Sequence, residues 1–278
     1  MTYIMYWTRF KKGIGVVLLD NNLDKQMDRG IDMKEIEIRQ IIVVTDGKSN
    51  IGGNPITAAS EAYKQNIIVS AIGIMDEKAS DDDSLFEVEK IAKVGGGVWE
   101  NTMIKNLGYT MHVVTQKTMN KTIETVVGKQ LKEIMGAELD DIPPKKRSKV
   151  IDYMDQLSEE VSIKCCIAMD CSKSMKNKMS TAKQSIIELM HSLQGRRGKS
   201  QVAVIAYPGK NGEFTALISD FTEDIQRLKD KIFGLKAGGT TPTAAAINRA
   251  VALINGENEQ ELEEIIINSE PLLNEGMV

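Results

Sequence analysis

Ile163-Lys164-Cys165-Cys166-Ile167-Ala168-Met169-Asp170-Cys171-Ser172-Lys173-Ser174 is the stretch that decides the fold of this chain. Its first part, Ile163 to Met169, is nearly all apolar, which predicts a strand buried within a parallel sheet. The apolar run ends at Asp170, and Ser172 and Ser174 follow at alternate positions. Taken alone, such a polar cluster is also typical of an ordinary helix N-cap, so its meaning depends on what surrounds it.

Strands and helices alternate after this stretch. The apolar patterns predict strands at Val202–Tyr207 and Phe214–Ile218, joined as a hairpin, and helices at Thr181–Leu193, Thr222–Leu235 and Ala244–Ile254. The last of these helices has no strand to return to. The C-terminal half therefore reads as an incomplete α/β unit.

The N-terminal half shows the same alternation. Strands are predicted at Ile41–Val44, Ile67–Ile74 and Val98–Glu100, and helices at Pro55–Lys64, Asp81–Val94 and Asn106–Ile123. The order β-α-β-α-β-α is typical of a parallel sheet with helices on both faces. This half has few strands and begins abruptly, so it too reads as incomplete.

Two further polar motifs lie beside predicted elements. Gly239-Thr240-Thr241-Pro242-Thr243 stands just before a helix, and Val43-Val44-Thr45-Asp46-Gly47 contains the carboxyl end of a buried strand. Each motif alone is ordinary, because threonine caps helices and Asp-Gly is a common turn.

Together, the three motifs resemble the von Willebrand factor type A (vWA) domain. The metal-ion-dependent adhesion site (MIDAS) of that family combines DxSxS, a threonine in a glycine-rich loop and the aspartate of a TDG turn. The resemblance implies that Ser172, Ser174 and Thr241 approach a metal with their hydroxyls, while Asp170 and Asp46 hold it more remotely, largely through water. Such an all-oxygen set suits Mg²⁺ or Mn²⁺.

The assignment of the threonine has one alternative. We choose Thr241 over the adjacent Thr240 because of the spacing back from Ile247 in the following helix.

The motifs occur in the wrong order for the family, because Asp46 precedes Asp170. The N-terminal half resembles the fourth to sixth strands of a vWA domain and the C-terminal half its first to third, which predicts a circular permutation. The predicted fold is a doubly wound, mostly parallel six-stranded α/β sheet of Rossmann-like order 3-2-1-4-5-6 with one antiparallel edge strand. Pairing of Ile163–Met169 with Ile41–Val44 would cover two apolar edges.

We divide the chain into five segments: an extension at 1–37, the half with the TDG motif at 38–118, a helical connector at 119–160, the half with the DxSxS and TTPT motifs at 161–256, and an acidic tail at 257–278. The regular hydrophobic pattern begins only after Met33. One hypothesis is therefore that the extension is an over-called start. The basic run Lys145-Lys146-Arg147 lies in the connector, where it is either solvated or a binding patch.

Composition excludes several classes of function. The 35 basic and 39 acidic residues give a net charge of −4, which argues against nucleic acid binding. Cys165, Cys166 and Cys171 lack zinc-site spacing and are interpreted as reduced core thiols, and His112 and His191 as structural residues. No apolar run reaches the roughly 18 residues of a membrane span, so we expect a cytoplasmic protein without membrane attachment.

The resemblance implies a binding module rather than an enzyme. Neutral hydroxyls leave the metal electron-poor, with an open position for an Asp or Glu carboxylate of a protein partner. We expect no histidine or lysine base near the motif, Ser172 stands where a phosphatase would carry a second acid, and no GxxxxGK[ST] loop is present. The alternatives are a vWA subunit of an ATPase or chelatase-type machine and a metal-dependent phosphatase-like enzyme.

A narrower resemblance rests on the permuted order, on Ile72-Gly73-Ile74-Met75 and on Gly95-Gly96-Gly97-Val98. These features are similar to small cytoplasmic vWA proteins of spore-forming Gram-positive bacteria, the YabS-like group. That likeness implies a role in sporulation or serine/threonine kinase signalling. Two other arrangements of the halves stay open here, namely two decayed vWA domains and a swapped homodimer instead of a monomer.

Overall fold

The computed structural model describes residues 37–76, 82–135, 138–210 and 212–257. The strands are β1 (Glu37–Thr45), β2 (Ile68–Met75), β3 (Gly96–Met103), β4 (Ser162–Asp170), β5 (Ser200–Tyr207) and β6 (Ala216–Thr222). The predicted extension, apart from Glu37, and most of the acidic tail lie outside the described residues.

The helices follow the predicted alternation. They are α1 (Pro55–Lys64), α2 (Asp82–Val94), α3 (Leu107–Met135), α4 (Pro144–Glu160), α5 (Met179–Gln194), α6 (Ile225–Ile232) and α7 (Thr243–Asn255), with short 3₁₀ turns at Ile104–Asn106, Leu139–Asp141 and Lys173–Asn177. Local chemistry explains where α1 begins. Before α1, the Asn54 side chain accepts hydrogen bonds from the amides of Ile56 and Thr57, and Pro55 occupies the first helical position.

One six-stranded sheet joins both halves of the chain in the order β3-β2-β1-β4-β5-β6. β1 pairs with β2 and β2 with β3 in parallel, whereas β5 and β6 form the antiparallel edge pair. Read from β6, this is the order expected of a vWA domain opened between its third and fourth strands. The predicted fold class and permutation are confirmed, and the halves are not two separate domains.

The two central strands explain why the halves need each other. Ile41 to Val44 in β1 and Cys165 to Met169 in β4 are fully buried. Burial on both faces is the reason that these strands read as continuous apolar runs. Because β1 and β4 are neighbours, neither presents an open apolar edge to solvent.

The described chain divides into two compact units. The larger comprises residues 39–115, 164–194 and 200–257, and it contains most of the sheet. The smaller comprises residues 116–163 and 195–199, together with residue 38 and the start of β1. Within the smaller unit, Arg196 donates to the carbonyls of Ser158 and Val161, and Arg147 to those of Asp140 and Ile142.

Several elements differ from the prediction at their ends; β1 begins at Glu37, and β6 spans Ala216–Thr222 rather than Phe214–Ile218. α3 continues past Ile123 to Met135, because Ile123, Val127 and Leu131 are spaced by four residues and form one buried stripe. β3 is longer than the predicted Val98–Glu100, and α6 is shorter than predicted, since Asp224 caps it only at Ile225. None of these changes moves a motif.

Among the described helices, none is both long and apolar enough to cross a membrane.

Candidate metal centre

The TDG and DxSxS motifs meet because their strands are central neighbours. β1 ends at Thr45 and β4 ends at Asp170, so the residues that follow lie at the same edge of the sheet. The Thr45 hydroxyl donates a hydrogen bond of 2.7 Å to Oδ2 of Asp170. This contact joins residues 125 positions apart in the chain. Ligand sites of open α/β sheets occupy this kind of edge.

Asp170 is the fully buried carboxylate of the centre. Its Oδ1 accepts a hydrogen bond of 2.7 Å from the amide of Ser172. Burial raises the pKa of Asp170 to about 6, although the hydrogen bonds from Thr45 and Ser172 oppose the rise. The negative charge of Asp46 adds to it. The ionised form of Asp170 is therefore unfavourable in this buried place, and a bound cation would stabilise it.

Ser172, Ser174 and Asp46 form a continuous chain of oxygen atoms. The two serine hydroxyls are 3.0 Å apart, and Ser174 donates to Oδ1 of Asp46 at 2.6 Å. The side chain of Asp46 is shielded from solvent, whereas Ser174 as a residue is exposed. The structure thus brings four of the five predicted site residues together, with an opening at Ser174.

Lys178 is a site residue that sequence reasoning missed. Its ammonium donates to Oδ2 of Asp46 at 2.7 Å and to Oδ2 of Asp76 at 2.9 Å. The sequence predicts no histidine or lysine base near the motif, so the protonation of Lys178 decides whether that expectation stands. The signal was present, because Lys178 follows Ser174 by one 3₁₀ turn, and Asp76 directly follows β2 as Asp46 follows β1.

The two carboxylates determine the protonation of Lys178. Burial lowers its pKa, but the hydrogen bonds and negative charges of Asp46 and Asp76 outweigh that effect, so the pKa lies above its usual value. The ammonium stays charged at neutral pH and is a poor base. This ammonium donates to Oδ2 of Asp46, while Oδ1 of the same carboxylate faces the serines.

The glycine-rich loop is held against the DxSxS segment by its backbone. Gly238 donates its amide to the carbonyl of Cys171 at 2.7 Å, and the Lys173 amide donates to the carbonyl of Gly239 at 3.4 Å. Gly239 has a φ of 82°, a left-handed conformation that favours glycine. A Cβ there would also lie 2.9 Å from Pro208. The loop needs glycine for both reasons.

Thr241 is attached to the segment after Asp46. Its amide donates to Oδ1 of Asn50 at 2.9 Å, and its carbonyl accepts from the Asn50 amide at 3.2 Å and the Ser49 hydroxyl at 3.1 Å. Thr241 is buried, whereas Thr240 is exposed. The choice of Thr241 as a metal ligand stays a prediction.

The donor set fits a hard divalent cation. Hydroxyl and carboxylate oxygens line the centre, and among the described residues no group of three His, Cys, Asp or Glu side chains could hold a metal by itself. Cys171, next to Asp170, does not change this. Burial raises the pKa of its thiol to about 12, with a contribution from the Asp170 charge, so it does not supply a thiolate.

The permuted sheet and this oxygen-lined centre define a vWA-type domain. A family model described as the von Willebrand factor type A domain matches residues 165–269. The uncharacterized protein YabS of Bacillus subtilis is 38% identical over 220 residues, which is 78% of this chain and 89% of YabS. The chain therefore belongs to the von Willebrand factor type A family, and the predicted likeness to the YabS-like group is confirmed.

Other similarities are structural or short. An uncharacterized protein from Alicyclobacillus acidocaldarius has a crystal structure that matches with a TM-score of 0.75 and 35% identity, covering 81% of this chain and 97% of that one. The uncharacterized protein YwmC of Bacillus subtilis is 46% identical over 57 residues, which is 20% of this chain and 23% of YwmC.

The pKa of Asp170 predicts a pH dependence of stability. The folded value of about 6 lies above the ordinary 3.8, so the folded state binds more protons between these values. Protonation of Asp170 therefore contributes to the free energy of unfolding, fully below pH 4. That contribution, about 3 kcal/mol, is lost as the pH rises through 6. Urea unfolding in chelator should show Asp170→Asn gaining stability over wild type as pH rises from 4 to 7. A constant difference would contradict the prediction.

Proposed function

We propose that this chain is a protein-binding adaptor module with a MIDAS-type site. Asp46, Asp170, Ser172, Ser174 and Thr241 would hold Mg²⁺ or Mn²⁺ there. The bound ion supplies an electron-poor centre that attracts an Asp or Glu carboxylate of a partner protein.

The observation that carries the proposal is the hydrogen-bonded series Asp170, Ser172, Ser174 and Asp46, in which the ends come from different halves of the chain. Asp170 orients the backbone of Ser172, and Asp46 orients the hydroxyl of Ser174. Such contacts fix the direction of oxygen ligands before a metal arrives. The exposed Ser174 leaves a route by which a partner can reach the site.

A binding role is favoured over an enzymatic one by the groups around the serines. Lys178 is held as an ammonium by two carboxylates, and Cys171 is buried as a thiol. Neither can activate a hydroxyl nucleophile at neutral pH. A metal-dependent phosphatase-like activity is therefore the weakest of the alternatives.

The second candidate is a vWA subunit that recruits a partner to an ATPase or chelatase-type machine. It would use the same site, and only the identity of the partner separates it from a free adaptor. We place the protein in the cytoplasm, as a monomer or swapped homodimer, in sporulation or serine/threonine kinase signalling. This placement rests on what the resemblance to the YabS-like group implies.

Capture of partners with and without chelator tests the proposal. Immobilised wild-type protein in Mg²⁺ should retain proteins that elute with EDTA, and Ser172→Ala should not retain them. A matched control is Ser180→Ala, an exposed serine at the start of α5. An ATPase in the eluate would favour the second candidate. Identical, chelator-resistant eluates from wild type and Ser172→Ala would contradict a metal-dependent adaptor.

A further inference from the structure

Exposed lysines stand in each loop that contributes to the candidate metal centre. We call this group the lysine rim; its members are Lys48, Lys173, Lys176, Lys210 and Lys236, all of them exposed. They come from the segments that follow β1, β4 and β5 and from the segment before Thr241. The chain as a whole has a net charge of −4, so these lysine-bearing loops are charged oppositely to the average.

Contacts between the loops keep the rim together. The amide of Lys173 donates to the carbonyl of Gly239, close in sequence to Lys236. Pro208, two residues before Lys210, lies against Gly239 as well. Lys48 lies between Asp46 and Asn50, which bind Ser174 and Thr241 respectively.

Few negative charges balance the rim. In the four loops, over residues 46–54, 171–178, 208–215 and 233–242, Glu213 is the one exposed acidic residue among those that the structure describes. The carboxylates of Asp46 and Asp170 are buried, and Lys178 pairs with Asp46 and with the exposed Asp76, which follows β2 outside these four loops. Lys48 interacts electrostatically with Glu87, and this interaction reduces the positive charge that Lys48 contributes to the rim.

We propose that the lysine rim selects an acidic peptide segment as the partner of the metal centre. One Asp or Glu of that segment would bind the metal, and further acidic residues on either side would pair with the lysines. This inference rests on the proposed function and adds the chemistry of the partner. Lysines around a site steer and retain an oppositely charged ligand, and salt screens the effect.

The test compares three labelled synthetic peptides by fluorescence anisotropy in Mg²⁺. One has a central aspartate with glutamate flanks, one has the same aspartate with serine flanks, and one has a central asparagine with glutamate flanks. We expect the first to bind about tenfold or more tightly than the second, with a difference that shrinks between 50 and 300 mM salt. EDTA should weaken binding of the first peptide and leave binding of the third unchanged.

A pair of charge variants identifies the responsible surface. Lys210→Gln/Lys236→Gln should lose about three- to tenfold in affinity for the glutamate-flanked peptide. The matched control, Lys64→Gln/Lys93→Gln, removes the same charge at the C-terminal ends of α1 and α2 and should bind as wild type does. Metal affinity, titrated separately, should not fall in either variant, because neither removes an oxygen donor.

The outcomes separate the two proposals. Equal, metal-dependent binding of both aspartate peptides would overturn the lysine rim and leave the metal-dependent adaptor standing. If neither aspartate peptide bound in a metal-dependent way, the adaptor would fall and the rim with it. A 20-nucleotide single strand is the remaining probe. If it bound more tightly than the glutamate-flanked peptide, resisted EDTA and lost its affinity in Lys210→Gln/Lys236→Gln, the lysine rim would be assigned to nucleic acid and the inference would be overturned.

Discussion

Asp170→Asn is expected to weaken Mg²⁺ and Mn²⁺ binding by about 10- to 100-fold while the domain stays folded. The substitution removes a negative charge beside the serines but keeps the size of the side chain. The new amide can still accept from the Ser172 amide, and Thr45 can turn its hydroxyl to the carbonyl of Gly47, which already lies 2.8 Å away. Because burial already disfavours the charge of Asp170, the neutral side chain should fold at least as well at pH 7.

Asp170→Ala is a poorer experiment. It would leave the Ser172 amide without its partner in a buried place, at a cost of about 1–3 kcal/mol, whereas the asparagine keeps an acceptor there. Calorimetric titration of Mn²⁺ into wild type, Asp170→Asn and Ser172→Ala is the measurement. Asp230→Asn, an exposed residue of α6, is the matched control. Equal metal affinity in all four proteins would refute the site.

Lys178→Met is expected to cost about 3 kcal/mol of stability in chelator, and Mg²⁺ should restore part of it. The methionine leaves Asp46, whose side chain is shielded from solvent, without its cation. Breaking a buried ion pair by removal of one partner costs about 3–5 kcal/mol. We expect the lower end, because Ser174 still donates to Asp46 and Asp76 is largely exposed.

Urea unfolding of Lys178→Met with EDTA and with Mg²⁺ measures both effects. Lys176→Met, an exposed lysine of the same segment, is the control for loss of charge alone. Lys178→Arg should retain most of the stability, since it keeps a cation in place. Unchanged stability of Lys178→Met in EDTA would show that Lys178 does not hold Asp46 in solution.

The fold could be predicted because its signals are local and periodic. The apolar runs at Ile41–Val44 and Ile163–Met169 identify strands buried on both faces, and the structure places them side by side. The order of the motifs was enough to predict the permutation. Element ends are harder to predict, as α3 shows, because that helix continues through Gly128 instead of ending near Ile123.

Residue types and their order along the chain determined the family, the sheet order and the oxygen chemistry of the candidate site. The tertiary structure alone decided what surrounds those oxygens. It bonded Thr45 to Asp170 and placed Lys178 between Asp46 and Asp76. These contacts join residues more than 100 positions apart, and such partners depend on which strands become neighbours rather than on any local pattern.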